Sequence, residues 1–393
     1  MPSHAVPRPR LSPSIWVLGL VSLLMDASSE LVHSLLPVLM ATTLGASMAT
    51  IGLLEGLAEA TASIVKMFSG ALSDWLGRRK PLVIVGYGLA ALSKPLFPLA
   101  PSVGWVFAAR VMDRVGKGIR GAPRDALVAD ITPPELRGAA YGLRQALDSV
   151  GAVIGPVLAV ALMVWFVNDI RAVLWVAALP AVLAVVLLVV AVPEPERAIE
   201  RARPHAPVTR ASLAHLPRRY WRVVAIGAVF TLARFSEAFL VLRAQSVGVA
   251  IPYVPVVMIA MNVVYAGAAY PAGRMADRMR PRALLVGGLA VLVGADLVLA
   301  VATTPLQVLV GACCWGLHMA LTQGLLSKLV ADSTPPAVRG TAFGVFHLVT
   351  GATVLAASVI AGALWHAFGP SATFGAGALF SAVAATCVLT SRS

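Results

Sequence analysis

What most constrains this chain is a succession of twelve apolar stretches, each long enough to cross a bilayer as a helix and parted from the next by a short polar break. Crossing the hydrocarbon core takes about 20 mostly apolar residues in helical form, because inside it each backbone amide must find its partner within the same segment. The stretches run over 14–40, 48–73, 81–100, 104–129, 138–165 and 171–191, and then over 222–248, 252–274, 282–302, 305–330, 340–366 and 370–389. With 59% hydrophobic and 12% charged residues, the chain cannot cover the surface of a soluble domain. The lipid bilayer is its expected solvent and an all-α membrane protein its expected class.

The net charge of +13 raises the question of a nucleic-acid partner, which would require basic residues gathered on one soluble face. They are distributed otherwise, so no nucleic-acid partner is expected. Of 31 Lys and Arg, 19 fall in the two termini and in alternate loops: Arg78, Arg79 and Lys80, then Arg137, then a run from Arg197 to Arg222, then Arg274, Arg278, Arg280 and Arg282, then Arg339. The intervening loops are nearly bare, Arg171 being the exception. By the positive-inside rule both termini are cytoplasmic, in a multi-pass protein of a bacterial inner membrane. Arg8 and Arg10 before an apolar stretch resemble the start of a signal peptide, but that stretch holds Asp26 and Glu30 and no small-residue cleavage site, so it reads as the first helix. Cys313, Cys314 and Cys387 lie in apolar segments with neither disulfide nor metal-ligand spacing, and no metal or cofactor is expected.

An internal repeat organises the chain. Asp130-Ile131-Thr132-Pro133-Pro134-Glu135-Leu136-Arg137-Gly138 recurs as Asp332-Ser333-Thr334-Pro335-Pro336-Ala337-Val338-Arg339-Gly340, an offset of 202, after the fourth helix of each half. Gly70-Ala71-Leu72-Ser73-Asp74 recurs as Gly273-Arg274-Met275-Ala276-Asp277, an offset of 203, after each second helix. Such repeats in membrane proteins mark the halves of transporters. The expected organisation is an N-terminal six-helix bundle over 1–192, a cytoplasmic linker over 193–220 rich in Pro, Arg and Glu, and a C-terminal six-helix bundle over 221–393.

The loop from Gly70 through Asp74 and Gly77 to Arg78, Arg79 and Lys80 resembles the signature between helices two and three of the major facilitator superfamily. The second copy departs from it, because Asp277-Arg278-Met279-Arg280 has no glycine where Gly77 stands. Gly151, Gly155 and Pro156 in helix five look like the Gly-Pro element of that superfamily's antiporters; close packing plus a kink is the plain alternative. Arg114-Val115-Gly116-Lys117-Gly118 is similar to its arginine motif in helix four, with Lys117 where glutamine is frequent. The longer string from Asp113 through Arg120 and Arg124 to Asp125 looks like a branch of uncharacterised bacterial carriers. The resemblance implies the major facilitator fold, 12 transmembrane helices in two six-helix bundles, and names no substrate.

Ionisable groups at bilayer depth are costly, so clusters of them read as function by default. On a wheel of about 100° per residue, Arg110, Asp113, Arg114, Lys117, Arg120, Arg124 and Asp125 fall within about 140° of helix four, a face that must line a cavity or pair with neighbouring helices. Helix one offers Asp26, Glu30 and His33, helix two Glu55, Glu59 and Lys66, and helix five Arg144 and Asp148. The second half is leaner, with Arg234, Glu237, Asp296, His318 and Lys328. Plain readings compete with functional ones throughout. Lys94, Arg243 and Lys328 sit near helix ends, where long side chains reach back to water. His33, His318 and His347 read as packed or hydrogen-bonded residues, and Asp296 as either a proton site or a hydrogen-bonded acid.

The functional expectation is a secondary transporter of a small molecule, monomeric, and not an enzyme: no nucleophile with a base, metal cage or phosphate-cradling loop stands in the sequence. Asp26, Glu30, Glu55, Glu59, Asp113 and Asp148 are the candidates for binding protons, since burial and a neighbouring arginine act on a carboxyl in opposite senses. Arg114, Arg144, Arg234 and Glu237 are the candidates for substrate. Gly70, Asp74, Gly77, Arg78, Arg120, Arg124, Asp125, Gly151, Gly155 and Pro156 are the candidates for gating, through interhelical pairs and a latch at the tip of helix two. Proton-coupled export by alternating access is the first reading. Import of a metabolite or chelated ion is the second, and a non-transporting receptor the third.

Overall fold

The computed structural model describes residues 11–76, 78–132, 137–193, 216–334 and 339–390. All regular structure among them is helical. The first half comprises α1 (Pro13–Val38, prolonged by a π turn over Leu39–Thr43), α2 (Met48–Leu76), α3 (Lys80–Ser93), α4 (Val103–Asp130), α5 (Arg137–Trp165), α6 (Ile170–Val176) and α7 (Ala178–Ala191). The second comprises α8 (Arg218–Leu232), α9 (Ala238–Ser246), α10 (Val256–Arg278), α11 (Pro281–Val301), α12 (Pro305–Asp332), α13 (Arg339–Phe368) and α14 (Pro370–Thr390). Counting α6 with α7 and α8 with α9 as one crossing each, the described residues make twelve membrane spans in two bundles of six. α1 begins, and α14 ends, at the same face, called here the entry face.

Nine of these spans pass on length and hydropathy alone among the described residues. The other three have physical reasons for failing. α3 is only 14 residues long, because Pro95 offers no amide to Ala91 and the helix tightens into a 3-10 turn over Lys94–Leu96. α4 carries seven charged residues on its polar face. The seventh span is interrupted between Leu232 and Ala238, and two side chains satisfy the freed backbone there: Ser358 Oγ accepts from Ser236 N at 3.2 Å and Ser236 Oγ from Ala238 N at 3.3 Å. The sixth span breaks after Val176, whose carbonyl is the one that Pro180 cannot bond.

Packing follows the repeat. α1 lies against α5, α2 and α3 against α4, α10 and α11 against α12, and α11 against α14, while α2 on α13 and α5 on α10 join the two halves. Small residues let the joining helices approach. A side chain on Gly52 would meet the carbonyl of Ser358 in α13, and Gly362 lies against Met48 and Ala49 of α2. The apolar core is not uniform with depth. At the end away from the entry face one block unites both halves, with Leu31, Leu35, Phe97 and Met163 packed with Phe239, Met258, Leu299 and Trp365. Toward the entry face the halves keep separate cores, one around Ile15, Tyr87 and Leu188, others around Tyr220 and Phe346 and around Leu289 and Val388. The molecule is thus sealed at one end and divided at the other.

Two sequence expectations need correction, and others fall outside the described residues. Lys94 does not reach back to water: it is 1% exposed and bonded to Asp113. Arg243 is also buried, its guanidinium donating to the carbonyls of Leu299, Ala300 and Ala302, so it caps the end of α11 instead of finding solvent. The linker lies almost wholly in 194–215, outside the described residues, as do Gly77 and the side chains of Asp74 and Lys328.

Candidate functional site

The polar face of α4 is built into the first bundle, between α1, α2, α3 and α5. Its upper part is a buried ion-pair network. Arg110 donates to Glu55 of α2 at 2.8 Å and lies 2.7 Å from His33 Nδ1 of α1. Asp113 accepts from Lys94 Nζ at 2.7 Å and from Arg114 at 2.7 and 3.1 Å. Arg114 reaches on to Glu59 at 3.0 Å, and Lys94 also donates to Ser29 Oγ at 3.0 Å. Four helix segments, α1, α2, the 3-10 turn after α3 and α4, are tied together by these bonds. In a dry interior each ion needs such partners, because removal of one leaves the other charge uncompensated.

Nearer the entry face the pairs are looser and wetter. Arg120 lies over the Tyr87 ring, 4.5 Å from its centroid, and 3.7 Å from Asp26. Arg124 pairs with Asp125 at 3.2 Å and donates to Ser22 Oγ. Arg144 joins Asp148 one turn along α5 and approaches Asp125 at 3.7 Å. At the end of α4 Asp130 accepts from Arg79 at 2.7 Å, and Arg79 donates to Ser73 Oγ at 2.9 Å. Arg78, the neighbour singled out from the loop signature, is exposed. Arg79 was the residue that counting positions within the motif could not select, since the two arginines are adjacent and only the turn decides which points inward.

Between the halves lies a cavity of about 380 Å³. Its walls come from α1 (Asp26, Glu30), α2 (Glu59, Ser63, Lys66), α4 (Lys117, Arg120, Arg124), α5 (Gln145, Asp148, Ser149), α10 (Asn262, Tyr265) and α13 (His347). It extends from mid-depth toward the entry face. At the other end the shared core and the bond from Asn262 Nδ2 to the Ala152 carbonyl, 3.1 Å, close it.

Three charged groups on this wall, Glu30, Lys66 and Lys117, have no hydrogen bond or ion pair among the described residues. Lys117 stands within electrostatic reach of Glu30, Glu59 and Glu237. Arg234 and Glu237, in the interruption of the seventh span, are within electrostatic reach of each other, and Glu237 also of Glu59 and Lys117.

The candidates from sequence therefore separate by place. Asp26, Glu30, Glu59 and Asp148 are on the cavity wall, whereas Glu55 and Asp113 are closed inside the ion-pair network. Arg114 and Arg144 are held by carboxylates, and Arg120 and Arg124 line the cavity while paired. Gly151 and Gly155 sit where α5 crosses α1: a Cβ there would stand 2.5 Å from the Leu23 carbonyl oxygen and 2.6 Å from that of Ala27. Pro156 follows within the helix, and Gly70 packs against Ala122 of α4. Lys117 and Lys66 are cavity residues that the sequence reading placed on polar faces without giving them a role. Among the described residues no group of three or more His, Cys, Asp or Glu could hold a metal.

Two six-helix bundles enclosing a charged chamber at mid-depth define a membrane carrier of small molecules. The Major Facilitator Superfamily model matches residues 18–243 and again 224–393, and the chain belongs to that family. An uncharacterised MFS-type transporter of Methanocaldococcus jannaschii is 30% identical over 387 residues, covering 96% of this chain and 95% of that protein. Multidrug resistance protein MdtH of Proteus mirabilis is 34% identical over 136 residues, 35% of this chain and 33% of that protein. The crystal structure of the nucleoside transporter NupG superposes with a TM-score of 0.79, covering 97% of this chain and all of that one; at 12% identity the likeness is one of fold.

Proposed function

We propose that this carrier exports a small solute in exchange for protons, by rocking an N-terminal bundle (1–192) against a C-terminal bundle (221–393) joined by a linker over 193–220. The observation that carries the reading is the facing of Glu30 and Lys117, two unpaired and opposite charges on the wall of a cavity closed at one end. An acid without an ion-pair partner can take up and release a proton without dismantling the bundle, unlike Asp113 or Glu55, whose neutralisation would strand Lys94 or Arg110.

Arg78, Arg79, Arg280 and Arg282 lie toward the entry face; on the positive-inside rule that face is read as cytoplasmic and the state as open inward. A solute with both an anionic and a cationic group matches the charges of Lys117 and Glu59 on the wall, with Arg234 and Glu237 within electrostatic reach. Glu30, with Asp26 and Asp148 behind it, handles the proton, and Arg114 holds Glu59 in place. The inward path closes when the ends of α4 and α5 meet the second half, the step for which Arg79, Arg120, Arg124 and Asp125 are placed. Export is favoured over import by the Gly-Pro element of α5 and by the partial likeness to a multidrug resistance protein.

A deletion strain should gain sensitivity to one class of toxic compound. Proteoliposomes carrying the protein should move that compound faster against an imposed proton gradient than without one. Equal rates in the two conditions would remove the coupling, and failure of the strain to take up a nutrient would reverse the direction.

A further inference from the structure

The offset of 202 that relates the two halves in sequence also relates local contacts in their third and fourth helices. Gly86 of α3 packs on Arg120 and Gly116 of α4; 202 positions later Gly288 of α11 packs on Thr322 of α12, and its carbonyl lies 2.8 Å from His318 Nδ1. Ser102 and Thr304, again 202 apart, cap α4 and α12. By the same offset Lys94 corresponds to Asp296, and Asp113 to Trp315. Where the first bundle holds a buried ion pair, the second therefore has an acid and an indole at the corresponding positions.

Asp296 is 0% exposed, and neither of its carboxyl oxygens has a hydrogen-bond partner among the described residues. A Cβ on Gly377 of α14 would lie 2.7 Å from its Oδ2 and 3.1 Å from the Phe235 ring, which in turn packs edge-on to Trp315 at 5.3 Å. Trp315 Nε1 and Ser381 Oγ, one turn beyond Gly377, are likewise buried without partners. The ionisable groups of the packed elements are engaged or remote. Arg243 is fixed on carbonyls at the end of α11, His318 is bonded two turns away at Gly288, Arg234 and Glu237 are within electrostatic reach of each other, and Cys313 and Cys314 are half-buried on α12. Among the described residues Asp296 forms no ion pair.

We propose that Asp296 is a proton-binding site of the second bundle, separate from the central cavity, and that the interruption of the seventh span controls its access to water. A carboxylate in this setting would be an uncompensated buried charge, so the acid carries its proton in the conformation described. Phe235 supplies the control. It belongs to the same interruption as Arg234 and Glu237, so a movement of those residues on the cavity side shifts the ring that closes the acid on the other.

Infrared spectra of the protein reconstituted in lipid test this without any knowledge of the substrate. At neutral pH the wild type should show a protonated-carboxyl carbonyl band that Asp296→Asn lacks, with the carboxylate bands unchanged between the two. Phe235→Ala should lose that band as the pH is raised through a range in which the wild type keeps it. Loss of an ionised-carboxylate band in Asp296→Asn, with the protonated band intact, would overturn the assignment. Should Asp296→Asn fail to accumulate, the Phe235→Ala titration decides alone, a band that persists as in the wild type contradicting the proposal.

Discussion

At the scale of single residues, the buried charges divide into those that hold the bundle together and those that are free to react. Lys94 and Asp113 belong to the first kind, being 1% and 2% exposed and directly bonded. Lys94→Met should destabilise the detergent-solubilised protein by about 3–5 kcal/mol, because Asp113 keeps a charge with one partner fewer. The double change Lys94→Met with Asp113→Leu should recover only part of that loss, because Arg114 then loses its bonds to Asp113, and denaturant unfolding of the single and double variants measures it. Glu30 and Lys117 belong to the second kind. Glu30→Gln and Lys117→Gln should each alter stability by less than about 1 kcal/mol, since neither breaks a bond, while solute counterflow in proteoliposomes falls at least severalfold. A large loss of stability in either would show that the group is structural.

At the scale of elements, close helix contact is bought with glycine. Gly155→Val should force α5 away from α1, where the added Cβ would meet the Ala27 carbonyl oxygen at 2.6 Å, at a cost of about 1–3 kcal/mol. Gly287→Ala, at a position with nothing within 4 Å, should leave the thermal midpoint unchanged or slightly raised. The helices themselves were legible in the sequence, because length and hydropathy are local properties. The interruption between Leu232 and Ala238 was not: it contains neither proline nor glycine, and it depends on Ser358, more than 100 residues away, to accept its amide. Lys94 was misread for a related reason. Its position near a helix end is visible in the sequence, but the acid that holds it lies on the next helix, and only the packing of α3 on α4 brings the two together.

At the scale of the whole molecule, the repeat offsets of 202 and 203 made the two-bundle plan readable before any coordinates. Which end is open could not be read, since both arrangements of a rocking carrier use the same helices and differ only in which contacts between halves are made. The unequal core answers it: one apolar block at the sealed end, separate blocks toward the entry face. A disulfide joining cysteines placed at Ala152 and Asn262 should hold the sealed end shut and abolish transport until reduced, as rates before and after a reductant would show.

The most direct measurement is the labelling of Ser149→Cys, on the cavity wall, by a membrane-impermeant maleimide in a chain whose Cys313, Cys314 and Cys387 have been replaced. Inside-out vesicles should label rapidly and right-side-out vesicles slowly, the outcome that the proposed inward-open orientation requires. Equal labelling from both sides, or faster labelling from outside, would contradict a chamber that is sealed at its far end and entered from the face where the chain begins.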